Sequence, residues 1–143
     1  MGGELDNNAS LALQIDRLMR RFHADLHPIA QRVDREKVGP IGGMVLFVIS
    51  EAGETTAQSI ASTLRRDKSQ VSRVVSLLVR KGLVEKFAND DDARSSRLRL
   101  TEKGMLQVAA FIGALVETTA NILVGLDRNE VRQFSELLAK ILE

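Results

Sequence analysis

A single change of period constrains what this chain can fold into more than any other feature. Apolar residues at Val71, Val74, Val75 and Leu78 follow helical spacing, and Gly82 stops that helix. Directly after it, Leu83 to Phe87 is β-branched and apolar, Asn89, Asp90, Asp91 and Asp92 break the run, and Arg97-Leu98-Arg99-Leu100 alternates with period two. The spacing predicts a helix that feeds straight into a β-hairpin with a polar tip.

The segment before that helix supplies a second one. Thr55 and Thr56 are natural N-caps for a short helix from about Ala57 to Leu64, with Ile60, Ala61 and Leu64 facing inward. Arg65 and Arg66 form a turn, and Asp67 caps the next helix with Gln70 three residues on, a variant of the capping box. Helix, tight turn, capped helix and hairpin is the order of a winged helix-turn-helix, running from Thr55 to Gly104.

Long helical patterns flank this centre. From Ser10 to Val33, Leu11, Ile15, Leu18, Met19, Phe22, Leu26, Ile29 and Val33 keep helical spacing, with Pro28 inside the pattern predicting a kink or break. Ile41 to Ser50 is apolar enough to be a helix buried on most sides, closed by Gly53. Thr101 caps a helix carrying Met105, Leu106, Ala109, Ile112, Leu115, Val116, Thr119 and Leu123, and Gly125 ends it. Asp127 and Glu130 form a capping box for a last helix striped by Val131, Phe134, Leu137, Leu138 and Ile141.

The expected class is therefore mostly α with a small β-hairpin wing. Its divisions are a loose start at 1–9, an N-terminal helix at 10–38, the winged helix-turn-helix at 39–104 and C-terminal helices at 105–143. Apolar stripes too long for one small domain to cover make the flanking helices a dimerisation layer.

Charge singles out the same segment. The net charge of +1 conceals eleven Lys and Arg against six Asp and Glu between Thr55 and Gly104, a local +5 that leaves −4 for the rest. Nucleic acid responds to the local potential and not to the sum. The chain has no Cys, which excludes disulfides, thiolate zinc sites and thiol nucleophiles. With no P-loop, Ser-His-Asp arrangement or dense carboxylate cluster outside the wing tip, an enzyme is not expected. No apolar run approaching a membrane span and no leader pattern stand out, so the expectation is a cytoplasmic protein with no membrane partner.

A helix that enters a major groove needs small or hydrogen-bonding residues on its outward N-terminal face. Lys68, Ser69, Gln70, Ser72 and Arg73 meet that need: Arg pairs bidentately with guanine, Gln with adenine, and Ser reaches a base edge or a phosphate. Free amides near Asp67 add an expected anion site for a phosphate. Thr56, Arg65, Arg66 and Arg99 are candidates for contact with the DNA backbone. Arg97 and Arg99 alternate outward, and for both of them phosphate contact and plain solvation stay open.

The stretch from Thr56 to Gly104 resembles the MarR family of bacterial transcription regulators. Three runs carry the resemblance: Asp67-Lys68-Ser69-Gln70-Val71-Ser72-Arg73, Lys81-Gly82-Leu83-Val84-Glu85-Lys86, and Asp92-Ala93-Arg94 followed by Leu98-Arg99-Leu100-Thr101-Glu102-Lys103-Gly104. The last is the most specific. The resemblance implies a triangular homodimer in which the outer helices pack against their copies. It also implies a wing (Asp92, Arg94, Arg97) whose Arg94 reaches the minor groove, held in pose by Asp92.

The function so implied is a homodimeric repressor on a palindromic operator in double-stranded DNA, released by a small-molecule effector where one exists. The alternative is a winged-helix module that uses the same surface on a protein. This chain departs from the family at Pro40, Ile41, Gly42 and Gly43, where many members carry a Leu-Thr turn and a Gln beside the effector pocket. It also has no Tyr or Trp to line such a pocket. No cofactor is expected. His23 and His27 are spaced i, i+4 on a helix, which can place two imidazoles on one metal, but they lack an evident third ligand, and the reading is that no metal binds.

Overall fold

A computed structural model describes residues 2–143, with side chains from Asp6 onward. The elements are α1 (Gly2–Val33), α2 (Gly39–Ala52), α3 (Ala57–Leu64), α4 (Lys68–Arg80), β1 (Val84–Ala88), β2 (Ser96–Leu100), α5 (Glu102–Ile122) and α6 (Arg128–Leu142). Six helices and one antiparallel hairpin bear out the expected class.

Two compact units share these elements: residues 30–113, and residues 1–29 with 114–143. The first holds the hydrophobic core. Val45, Leu46 and Ile49 of α2, Ile60 of α3, Val71 and Leu78 of α4, Leu83, and Leu98 of β2 are all but fully buried, and Val108 and Phe111 of α5 join them. The apolar run of α2 is thus explained, since Gly42 and Gly43 are buried along with its large residues. Asp34 starts that helix from outside it: its carboxylate accepts the backbone N–H groups of Val38 and Gly39, both at 3.0 Å. These amides have no partner within the helix, so a carboxylate satisfies them and complements the helix dipole.

In the second unit, Asp127 accepts the N–H of Glu130 at 2.9 Å while Glu130 accepts that of Asp127 at 3.0 Å, the reciprocal box read from the sequence. No residue of α6 is buried. Ile141 is 76% exposed, and Leu137, Leu142, Val116, Leu11 and Ile15 are exposed as well. Leu18, Met19, Phe22, Phe134 and Leu138 border an apolar groove of about 290 Å³.

Two expectations change, and of the kink or break expected at Pro28 the break does not occur. Helix α1 begins at Gly2, ahead of Ser10, because no residue from Glu4 to Ala9 breaks a helix; Met1, part of the expected loose start, lies outside the described residues. Pro28 sits inside α1 without ending it. Helix α5 is, by length and composition alone, apolar enough to cross a membrane, because Ala, Gly and Thr break up its apolar run without lowering its mean hydropathy much. Val108 and Phe111 of that helix lie in the core of the first unit.

Candidate nucleic-acid interface

Thr56 caps α3, its Oγ1 accepting the N–H of Ser59 at 3.2 Å. Thr55 has a different task. Its backbone pairs with Leu98, donating to the carbonyl at 3.0 Å and accepting from the amide at 2.7 Å, so it adds a one-residue third strand to the hairpin. Arg65 ends α3 in the left-handed conformation, φ 52° and ψ 47°, and the Arg66 amide reaches back to the Ala61 carbonyl at 2.9 Å. This tight return sets α4 against α3.

Asp67 caps α4 by accepting the N–H of Gln70 at 3.3 Å and the hydroxyl of Ser69. Those bonds, the Ser69 hydroxyl first, hold its carboxyl below the usual aspartate range. At this helix start, where free amides were expected to hold a phosphate, the Asp67 carboxylate takes the Gln70 amide. Val71, Val75 and Leu78 turn into the core, while Lys68, Ser69 and Arg73 are exposed and Gln70 and Ser72 half-buried. The helix thereby presents the expected polar face at its N-terminal end.

The hairpin pairs Val84 with Leu100, Glu85 with Arg99, Lys86 with Leu98, Phe87 with Arg97 and Ala88 with Ser96. Its tip is built from side chains acting as turn residues. Asn89 accepts the Asp91 amide at 3.1 Å and donates to Ser95 Oγ at 2.9 Å, and Asp92 accepts the Arg94 amide at 2.9 Å. Asp92 thus holds the backbone of Arg94. The Arg94 residue itself is exposed.

Arg97 and Arg99 are differently placed. Arg97 Nε donates to Glu54 Oε2 at 3.3 Å. Arg99 makes a two-pronged contact with Glu85, at 3.0 and 3.2 Å, and lies 4.8 Å above the centre of the Phe87 ring. The Arg99 bonds hold the Glu85 carboxyl below its ordinary range and raise the guanidinium in turn.

The return from wing to α5 explains the end of the motif. Thr101 Oγ1 donates to the Gly82 carbonyl at 2.6 Å and accepts the Gly104 amide at 3.1 Å, while the Thr101 amide meets the Leu83 carbonyl at 3.1 Å. A Cβ on Gly104 would lie 2.1 Å from that same Leu83 oxygen. Only glycine lets α5 start this close to the exit of α4.

Residues 38–104 match the winged helix DNA-binding domain family. An exopolysaccharide II synthesis transcriptional activator, ExpG of Rhizobium meliloti, is 32% identical over 94 residues, 66% of this chain and 48% of that protein. The chain spans about half the length of that curated relative. A mutant MarR from E. coli in complex with operator DNA superposes with TM-score 0.73 at 22% identity, covering 96% of this chain and 97% of that one. YusO of Bacillus subtilis gives 0.71 at 22% identity, over 99% and 97%.

The chain carries a winged helix DNA-binding domain and shares the fold of the MarR structure it superposes on. Within this fold, the run from Pro40 to Gly43 is a packing feature. A Cβ on Gly42 would sit 2.8 Å from that of Val38, and one on Gly43 would touch the Phe111 ring at 3.4 Å. His23 and His27 stay a pair, since among the described residues no three His, Cys, Asp or Glu come together as ligands; His23 instead meets the edge of the Phe22 ring.

Two contributors escaped the sequence. Glu54 reaches Arg97 across 43 positions, and Lys81 Nζ donates to the Glu36 carbonyl at 2.7 Å across 45. Neither spacing leaves a periodic trace.

Proposed function

We propose that this protein is a sequence-specific, double-stranded DNA-binding transcription regulator, and not an enzyme. It acts as a homodimeric repressor on a palindromic operator in the cytoplasm. The observation that carries the reading is the face of α4: Lys68, Ser69 and Arg73 stand exposed at its N-terminal end, with Gln70 and Ser72 beside them, while the opposite side is locked into the core. That face reads bases in a major groove. Arg94 at the wing tip enters the adjacent minor groove, and Thr56, Arg65 and Arg66 contact the backbone.

The homodimer is supported by the unburied α6 and by the exposed apolar residues along α1 and α6. So much unpartnered apolar surface on one unit calls for a second copy. The flanking helices are also where a small-molecule effector would act. The E. coli MarR in complex with operator DNA supports DNA as the partner, and ExpG, a transcriptional activator, supports transcription as the process.

The test is selection of bound fragments from the host genome, with sedimentation of the complex. The expected result is a palindrome with half-sites about 10 bp apart centre to centre, bound by two chains. A reporter behind that palindrome falls in expression when the protein is present. Fragments without a shared palindrome, or one chain per site, would refute the reading; a reporter that rises would refute repression alone.

A further inference from the structure

On β2, Arg97 and Arg99 are two residues apart and so share one face of the hairpin. The backbone pairing of Thr55 with Leu98 fixes Glu54 beside that face. Glu54 Oε2 takes Arg97 Nε at 3.3 Å and its other oxygen lies 3.9 Å from Arg99 Nη1, while Glu85 holds Arg99 from the opposite strand. A basic wing thus carries its own counter-charges.

We propose that Glu54 limits how tightly the wing holds any duplex: it withholds the wing arginines, Arg97 above all, from the phosphate backbone. The inference rests on the DNA-binding reading above. Binding that ignores sequence comes from Lys and Arg neutralising phosphates and releasing counterions. An arginine already neutralised by a carboxylate must exchange partners to do this, and it gains little. Glu54 therefore lowers affinity for any duplex while leaving base contacts from α4 and groove contact from Arg94 untouched. A contact common to every duplex cancels from the difference between two affinities, so Glu54 sets the sequence-blind affinity and its salt dependence and leaves their ratio unchanged. Stability does not account for the arrangement, because pairs this exposed, 33% for Arg97 and 45% for Glu54, contribute little to folding.

The test titrates the full chain against its selected operator and a scrambled duplex of equal length, between 50 and 200 mM salt. Glu54→Gln is expected to tighten scrambled-duplex binding about tenfold and to steepen the slope of log K against log salt by about 0.9, one phosphate contact's worth. The operator gains as much, so the ratio of the two affinities is unchanged. Glu54→Gln with Arg97→Gln should return the slope to the wild-type value. Glu51→Gln removes the same charge from neighbouring α2 and pairs with neither arginine; it should leave the salt slope at the wild-type value. If Glu54→Gln behaves like Glu51→Gln, the inference is overturned while the DNA reading stands. If the wild type holds neither duplex, the DNA reading falls and the inference with it.

Discussion

The Asp92 carboxylate accepts the backbone N–H of Arg94 at 2.9 Å, so the residue that gives the wing its reach is held through its main chain and not its guanidinium. The tip follows from this: an acidic residue next to an exposed arginine can fix a turn without neutralising the charge it presents.

Asp92→Asn keeps an oxygen acceptor in the same place and should leave operator affinity within about twofold of wild type. Asp92→Ala removes the acceptor and should weaken binding about fivefold, the equivalent of one ordinary hydrogen bond. Fluorescence anisotropy with labelled operator measures both. Equal affinities for the two variants would show that the turn does not depend on this bond.

Two glycines of α5 should respond oppositely to alanine. At Gly104 the new methyl would stand 2.1 Å from the Leu83 carbonyl oxygen, and neither backbone can yield without opening the α4 exit, so urea unfolding should show a loss of about 1–3 kcal/mol. At Gly113 nothing lies within 4 Å, and alanine should gain up to about 1 kcal/mol from helix propensity. A neutral Gly104→Ala would remove the close approach from the account of the wing.

The cap of α4 should give stability a pH dependence of definite sign. Asp67 is held below its ordinary value of 3.8 by the Ser69 hydroxyl and then the Gln70 amide. A depressed carboxyl adds stability above its unfolded value and loses it as pH falls through the folded one. Wild type should therefore melt above Asp67→Asn at pH 7, and thermal scans down to pH 2.5 should show the gap closing below about pH 4. A gap that stays constant would mean that the charge of the cap is irrelevant.

The local parts of this fold were legible because their signals are short. The Gly82 stop, the period-two run at Arg97 to Leu100 and the Asp127–Glu130 box each lie within a few residues, and the structure has them where the spacing put them. Thr55 and Thr56 show the limit. Both have the chemistry of a cap, and only the long-range pairing of Thr55 with Leu98 decides that Thr56 takes the role. Arg97 and Arg99 show it again, since alternation turns them outward but says nothing of Glu54 arriving from 43 residues away. Asp34, capping α2 from outside the helix, left no capping-box spacing to read.

The central claim is that the exposed face of α4 and the tip of the wing bind DNA on an intact dimer. Anisotropy of labelled operator with Arg73→Ala and Arg94→Ala, alongside light scattering of each variant, tests it most directly. The account predicts wild-type mass for both variants and at least about a fivefold loss of operator affinity in each, the smallest effect expected of a lost base or groove contact worth about 1–3 kcal/mol. Operator retained equally by wild type and both variants would contradict it.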